Sequence, residues 1–243
     1  MITVGPYTFT AQDAQATLSS APLLISQLSD GLPEESVAEA RSTLDQALEL
    51  VQRTADDETF PVADRLEAVW DAWRDAARAL RSTGALGSTV EGSVAHLAAS
   101  DGGVPKAATD RVEVGWRGVV GDRQASRQHH GRPWQALCLW STEVIDAFVA
   151  TGDPLAAGRA GENVTVTGLP WERVRPGAVL RLGSLACEVW AYALPCKKNA
   201  QWFADGKFDR MHHRHGPVSR VYAAVTEPGT ITLGDPAVLL PEP

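Results

Sequence analysis

The hydrophobic pattern of this sequence changes near residue 88, and that change constrains the fold more than any other feature. Before it, apolar residues such as Val37, Ala40, Leu44 and Leu48 recur at spacings of three and four, which mark one face of a helix. After it, short apolar runs are separated by glycines, as is typical of β-strands and turns. The sequence therefore predicts a helical N-terminal part followed by a sheet-rich C-terminal part.

The N-terminal part carries the signals of three or four amphipathic helices. One helix is predicted to begin after Pro33 and another after Pro61, because proline suits the first turn of a helix. Thr10 is a candidate N-cap for an earlier helix, which Pro22 is expected to break or restart. These helices would form a small bundle, which ends at the small-residue linker of residues 82–88.

Charge divides the chain at the same place. Residues 1–88 contain 14 Asp and Glu against 6 Arg and no Lys, so they carry the whole net charge of −8. Residues 89–243 contain 16 acidic and 16 basic residues. We therefore predict an acidic helical domain of unknown family at residues 1–88 and a second domain at residues 89–243. An acidic surface repels phosphates, which disfavours a nucleic acid polymer as a partner, although solubility alone also explains the asymmetry.

The C-terminal part is predicted to be a barrel or a strongly curled sheet, so the fold class of the chain is α+β. Seven strands with few helices between them favour that architecture. One short helix is expected after the Ser-Thr-Glu sequence at residues 141–143, since these residues suit a cap and a first turn. The predicted strands cover residues 92–99, 135–140, 163–168, 178–183, 185–194, 220–226 and 230–233.

Cys196 stands out among the three cysteines because it follows a proline and precedes two lysines, in LPCKKN at residues 194–199. A neighbouring ammonium group lowers the pKa of a thiol and favours the thiolate that binds metals or attacks electrophiles. Pro195 is expected to take the chain out of the sheet, which would put the thiol at a rim of the barrel. Cys138 and Cys187 alternate with apolar residues and are predicted to be packing thiols. From the residues alone, a functional and an incidental Cys196 stay equally open.

Three further polar segments are candidates for ligand contacts. Residues 121–132 combine glycines with Arg and His donors, which suits an anionic or heteroaromatic ligand but also a solvated loop. Residues 157–163 offer small residues that let a ligand approach the backbone. Residues 200–217 could line a substrate opening or form a solvated loop. The adjacent histidines His129 and His130 are expected to point apart, and no third ligand has a familiar spacing, so zinc binding is disfavoured.

Taken together, the motifs resemble those of MOSC domains, which are related to the C-terminal part of molybdenum cofactor sulfurases. The motifs occur in the same order and spacing over residues 92–240, and the resemblance is closest to the stand-alone bacterial YiiM-like branch. It implies a MOSC-type curled β-barrel with short helices, preceded here by the helical domain. The motifs are GDRQASRQHHG, ALCLWSTEVI, AGENVTVTGL, VRPGAVLRLG, ALPCKKNA and VTEPGTITLGD.

The resemblance implies a pyranopterin molybdenum cofactor. The cysteine of the Pro-Cys motif of MOSC domains falls on Cys196, which would be the protein ligand to molybdenum and the catalytic residue. Lys197 departs from relatives, which often have tryptophan there. Other matches are Ser100 and Arg123 for the pterin or its phosphate, Ser141 and Thr142 as donors at a helix N-terminus, Asn163 and Asp235 for the heterocycle, and Arg159 and Lys198 by a looser match.

The resemblance implies an oxidoreductase that reduces N-hydroxylated or other N-oxygenated small molecules. Electrons would come from a separate donor protein, because the chain shows no flavin, haem or iron–sulfur motif. Two alternatives stay open. Cys196 could carry a persulfide in a sulfurtransferase, or the protein could be a non-enzymatic carrier of the cofactor.

The sequence predicts no membrane segment. No apolar run approaches the roughly 20 residues that cross a bilayer, and the N-terminus does not resemble a secretory signal. We therefore expect a soluble, cytoplasmic protein. The helical domain could dock the electron donor, cover the barrel opening or form a homodimer, and the sequence does not rank these roles.

Overall fold

A computed structural model describes residues 1–55, 57, 59–126 and 129–241. Arg127, which belongs to the polar segment 121–132, lies outside the described residues. No helix in the described part of the chain is long and apolar enough to cross a membrane.

The N-terminal part is mainly helical and begins with a short hairpin that the sequence did not predict. Thr10 is the N-cap of the first long helix, as predicted: its hydroxyl accepts the Asp13 N–H at 3.0 Å. The elements are β1 Ile2–Val4, β2 Tyr7–Phe9, α1 Ala11–Ser26, α2 Glu34–Val37, α3 Arg41–Ala55 and α4 Val62–Ser82.

Two predictions about these helices were wrong. Pro22 lies inside α1 and does not break it. Proline removes one helical hydrogen bond, but its neighbours Leu18, Ala21 and Leu24 are fully buried, so packing outweighs that loss. The helix predicted after Pro33 is in fact two helices, because the chain turns between the end of α2 and the start of α3.

The C-terminal part contains twelve of the described helices and strands, of which eleven are strands. In chain order they are β3 Val90–Ala99, β4 Ala107–Thr109, β5 Arg111–Gly115, β6 Gly118–Val119, β7 Leu137–Ser141, α5 Thr142–Ala150, β8 Val164–Thr167, β9 Val179–Leu182, β10 Leu185–Tyr192, β11 Val221–Glu227, β12 Gly229–Thr232 and β13 Pro236–Leu240, with the eleven strands joined by α5 and short 3-10 turns.

Seven of these strands close into a barrel, which confirms the predicted α+β fold class. The order around the barrel is β3, β8, β7, β11, β10, β9 and β13, and β13 pairs with β3 to close it. Only the β7–β8 pair of the barrel is parallel in the described structure. The strand predicted at residues 230–233 lies outside the barrel, where β12 pairs with β5. The closing strand β13 was not predicted, because its short run between prolines carries no alternation.

The helical part packs on the outer wall of the barrel. Inside the barrel, Cys187 and Val189 of β10 belong to one apolar core. Outside it, Trp190 and Ala191 join a second core together with residues of the helices. A register shift between Val189 and Ala191 explains why the sequence neighbours Trp190 and Ala191 share one cluster, although successive residues of a regular strand point to opposite faces. The domain boundary near residue 88 stays a prediction, since this second core includes side chains from both parts.

Candidate functional site

The candidate site is a cleft on the outer face of the barrel wall. Cys138 of β7 and Tyr222 of β11 are paired neighbours, and both line the cleft. Their strand neighbours Leu139 and Val221 point into the barrel core. The cleft is open to solvent, and its cavity volume, counted as the space that the centres of water-sized molecules can occupy, is about 110 Å³.

Cys196 lines another part of the same cleft. β10 ends at Tyr192, and the chain leaves the sheet as predicted, so that Cys196 is exposed and lines the cleft. The Cys196 N–H donates to Asn199 Oδ1 at 3.4 Å, and the Cys196 Sγ lies 3.5 Å from the same oxygen. Asn199 is buried, and its amide donates to the Ala160 carbonyl at 3.2 Å. A buried side chain therefore fixes the segment that presents the thiol.

Among the described residues, four cations line the cleft: Lys106, Arg123, Lys198 and Arg220. Lys106 Nζ lies 2.5 Å from the Asp122 carboxylate, so its charge is largely neutralised. Arg123 Nη1 lies 3.1 Å from the Asp101 carboxylate, in an exposed ion pair.

Arg220 is the most buried of these cations, with 5% of its surface exposed. Its Nη1 donates to the Ala160 carbonyl. Its Nε–H is buried and has no hydrogen-bond partner among the described residues. Burial alone lowers the pKa of Arg220, but neighbouring groups, Cys138 first among them, outweigh burial and raise it. The Arg220 guanidinium is therefore a fixed positive charge beside the Cys138 thiol.

Asn163 and Ser100 form hydrogen bonds that connect the segments around the cleft. Asn163 accepts the Cys138 N–H at 3.3 Å and donates to the Asp122 carboxylate at 3.1 Å. Asp122 also accepts the Ser100 N–H at 2.8 Å. Asn163 lines the cleft and Ser100 does not, so these two predicted residues position the wall through Asp122.

His130 and Tyr222 form a neutral polar pair at the cleft. His130 Nδ1 lies 3.1 Å from the Tyr222 hydroxyl. Burial, aided by the charge of Arg220, lowers the pKa of His130 to about 4. Burial raises the pKa of the Tyr222 hydroxyl. At neutral pH the imidazole is therefore uncharged and the phenol keeps its proton. The described residues contain no group of three or more His, Cys, Asp or Glu side chains that could hold a metal ion.

Ser141 and Thr142 lie at the N-terminus of α5, away from the residues that line the cleft. Ser141 donates to the Glu143 carboxylate at 2.6 Å. That carboxylate also accepts hydrogen bonds from Thr167 and from the Gly168 N–H, each at 2.7 Å. The negatively charged Glu143 carboxylate therefore already uses the Ser141 hydroxyl at this helix end, and its charge disfavours a phosphate there.

Arg159 and Asp235 also lie outside the lining of the cleft. Arg159 donates to the Pro154 carbonyl at 2.6 Å, and its guanidinium covers the Trp202 ring at 5.1 Å. Asp235 accepts the Thr232 N–H at 2.7 Å in the turn before β13. Its role is therefore that of a turn former, as its sequence context alone would indicate.

Residues 200–217 do not line the cleft. Phe203 is buried and packs edge to face against Phe148, with ring centroids 5.4 Å apart. His213 stacks on Tyr192 in a different cavity. The substrate opening considered for this segment is thus not supported by its position.

The structure therefore brings together Cys196, Arg123, Asn163 and Lys198 of the predicted site. It adds residues that the sequence did not single out for a ligand role. Of these, Asn199 follows Cys196 within the same motif, so its side-chain amide could have been identified from the sequence as a candidate. The others are Lys106, Arg220 and Tyr222, for which only the three-dimensional fold gives the signal.

Comparison with known proteins gives both a domain match and similar folds. A family model described as "MOSC domain" matches residues 126–238. The uncharacterized protein YflK of Bacillus subtilis is 37% identical over 86 residues, which are 34% of this chain and 38% of YflK. The chain therefore spans little more than a third of that relative.

The YUAD protein of Bacillus subtilis has a similar fold, with a TM-score of 0.52 and 15% identity over 63% of this chain and 97% of that one. The structure of YiiM from Escherichia coli gives a TM-score of 0.49, with 22% identity over 62% and 70% of the two chains.

Proposed function

We propose a function from the premise that this chain belongs to the MOSC domain family, the family predicted from its motifs. In this proposal, the protein binds a pyranopterin molybdenum cofactor in the cleft and reduces N-hydroxylated or other N-oxygenated small molecules. A separate protein supplies the electrons. The observation that carries the proposal is an exposed thiol, Cys196, held beside the buried guanidinium of Arg220 in one cleft.

The residues of the cleft fit such a cofactor. A thiolate is a soft ligand, and soft ligands suit thiophilic transition metals. Pyranopterin cofactors are anionic, and the Arg220 Nε–H is a buried donor without an acceptor among the described residues. An anionic ligand would satisfy that donor and remove the cost of burying it alone. Cys196 would hold the metal, while Arg220, Lys198 and Arg123 would hold the anionic parts.

When bound, the cofactor would supply the redox chemistry of the reduction. The chain's own residues bind and orient. Asn199 fixes the backbone of Cys196, and Asp122 ties Lys106 to the wall. The neutral Tyr222 hydroxyl faces the same cleft, with the neutral His130 as its hydrogen-bond partner. Since reduction of an N–OH group consumes protons, this uncharged pair provides a proton-bearing hydroxyl at Tyr222 Oη.

Molybdenum content tests the proposal directly. Protein expressed with its native cofactor supply should contain molybdenum, and Cys196→Ala should lose it. Cys138→Ala is the matched control, because Cys138 lines the same cleft but is buried. It should keep the metal. A Cys196→Ala protein that retains full molybdenum content and turnover with an artificial electron donor refutes the assignment.

The exposure of Cys196 also suits sulfur transfer, which uses the same thiol differently. Intact mass spectrometry separates the two functions, because a persulfide adds a sulfur atom that a reducing agent removes. Molybdenum without added sulfur supports the oxidoreductase. Bound molybdenum without turnover on any N-hydroxylated compound supports the carrier.

A further inference from the structure

A second cavity lies at the seam between the helical part and the barrel. Asp30, from the segment after α1, contributes to one side, while Trp171, Arg175, Tyr192 and His213 contribute to the other. We call it the seam cavity. It shares no lining residue with the cleft of Cys196.

Arg175 is a buried cation in this cavity, with 4% of its surface exposed. Its Nη2 donates to the carbonyls of Leu28 and Gln27 at the end of α1, at 2.9 and 3.4 Å. Its Nε–H is buried and has no partner in the described part of the chain. No carboxylate of the described residues forms an ion pair with it. A buried charge with a free donor is costly unless a ligand completes it.

His213 lines the same cavity and has a second buried atom without a partner among the described residues. Its ring stacks on Tyr192, with centroids 4.4 Å apart and planes 11° apart. Its Nε2 lies 3.3 Å from an Asp30 carboxylate oxygen, whereas its Nδ1 is buried and unpaired within the described structure. The carboxylate fixes the proton of a neutral imidazole on Nε2, so Nδ1 is an acceptor. Burial lowers the pKa of His213, which keeps the ring neutral.

The charges of the seam cavity are arranged by depth. The carboxylate of Glu172 and the guanidinium of Arg214 belong to exposed residues at the surface. Asp30 is half exposed and faces His213. The buried end therefore holds one cation, Arg175, and one neutral acceptor. A ligand for that end must offer a negatively charged acceptor and also a proton.

We propose that the seam cavity binds hydrogen phosphate, with one oxygen accepting the Arg175 Nε–H and its P–OH donating to His213 Nδ1. This combination distinguishes phosphate from other common anions. Sulfate has the same shape but carries no proton at neutral pH, and acetate offers only acceptors. The inference does not depend on the function of the cleft, since the two sites share no residue.

Thermal unfolding of the full-length chain tests the proposal. Sodium chloride holds ionic strength constant while inorganic phosphate is added. The unfolding midpoint should rise by roughly 3–6 °C at about ten times the dissociation constant. Sulfate and acetate in parallel titrations should raise it less. An equal rise with sulfate overturns the assignment. Methyl phosphate distinguishes free phosphate from a phosphate ester, and tighter binding of the ester identifies an ester as the ligand.

Variants separate the seam cavity from the cationic cleft. Arg175→Lys keeps the charge but removes the Nε–H, so it should abolish the effect of phosphate. Arg181→Lys, at an exposed arginine paired with Glu227, is the matched control and should retain it. The double variant Arg123→Ala/Lys198→Ala removes cations of the cleft and should also retain it. Loss of the effect in the double variant, or its persistence in Arg175→Lys, overturns the proposal.

A second measurement applies if Arg175→Lys does not fold. In the nitrogen-15-labelled wild-type protein, the Arg175 Nε–H resonance should shift as phosphate is added. A resonance that is unchanged while the unfolding midpoint rises means that phosphate binds elsewhere, and overturns the proposal. No response in either measurement means that water satisfies the donor, with the same consequence.

Discussion

The indole ring of Trp73 stacks on that of Trp190, with centroids 3.9 Å apart and planes 14° apart. Trp73 belongs to α4 and Trp190 to β10, so the stack joins the helices to the barrel. The ring of Trp70 also packs against Trp190, with centroids 4.1 Å apart. The helical part and the barrel wall thus share aromatic packing that neither has alone.

Trp190→Ala should lower the free energy of unfolding by about 3–5 kcal/mol, since it removes a fully buried aromatic ring. Chemical denaturation measures the change. Phe60→Ala is the control, because Phe60 is half exposed, and its loss should stay within about 0.5 kcal/mol. Because the stack couples the two parts, we expect one cooperative transition. Two transitions, of which only one shifts, would contradict this coupling.

Glu188→Gln should also destabilise the junction. Arg81 Nη1 lies 2.7 Å from the Glu188 carboxylate, and both side chains are buried. Removing one charge leaves the other buried and uncompensated, which costs about 3–5 kcal/mol. Glu227→Gln breaks the exposed pair with Arg181 and should cost less than about 1 kcal/mol. Equal losses in the two variants, measured by urea titration, would show that the buried pair has no special weight.

The three cysteines should differ sharply in reactivity toward iodoacetamide. Cys196 is exposed and should be alkylated in the folded protein. Burial raises the pKa of Cys138 to about 11 and that of Cys187 to about 12, so both stay protonated at neutral pH. Peptide mapping by mass spectrometry should find them modified only after denaturation. Native modification of Cys187 at the rate of Cys196 would be inconsistent with the fold described.

Glu143 should make stability depend on acid pH. Burial opposes ionisation, but hydrogen bonds from Ser141, Gly168 and Thr167 outweigh burial and lower the pKa of the carboxyl to about 2. A lowered pKa in the folded state stabilises the fold above the ordinary pKa near 4.5. That stability disappears as pH falls through the window from about 5 to about 2.

Glu143→Gln tests this pH dependence. The variant should lose about 1 kcal/mol at pH 7, a value reduced for solvent screening, and less at pH 3. Unfolding free energies measured across the window give the difference. A wild-type minus variant difference that does not change with pH would rule out the linkage.

The sequence predicted the fold class because hydrophobic periodicity is a local property. The hairpin of β1 and β2 escaped prediction because its strands have three residues each. β13 escaped it because barrel closure depends on pairing with distant strands. Pro22 misled the prediction because burial around it is tertiary and outweighs its local effect.

The motifs identified the part of the site that lies on loops, including Cys196 and Lys198. Arg220 was missed because it is only the first residue of the strand predicted at residues 220–226, while its burial comes from the fold. Ser141 is a different case. Its predicted capping role is confirmed, because its hydroxyl accepts the Val144 N–H at 3.3 Å, while its role toward a ligand stays a prediction, since the same hydroxyl donates to the Glu143 carboxylate. Local patterns thus indicate where donors occur but not whether another side chain already uses them.

Barrel closure has a consequence for the order of folding. Val90 at the start of β3 pairs with Leu239 in β13, and almost the whole sheet-rich part of the chain lies between them. Such distant pairing is slow, because the ends of a long loop must meet before the contact stabilises them. The helices, whose contacts are local, can form first, and the outer face of β10 can then assemble against a surface that already exists. On this view the N-terminal segment acts as a template, and its removal should slow maturation of the barrel as well as weaken it.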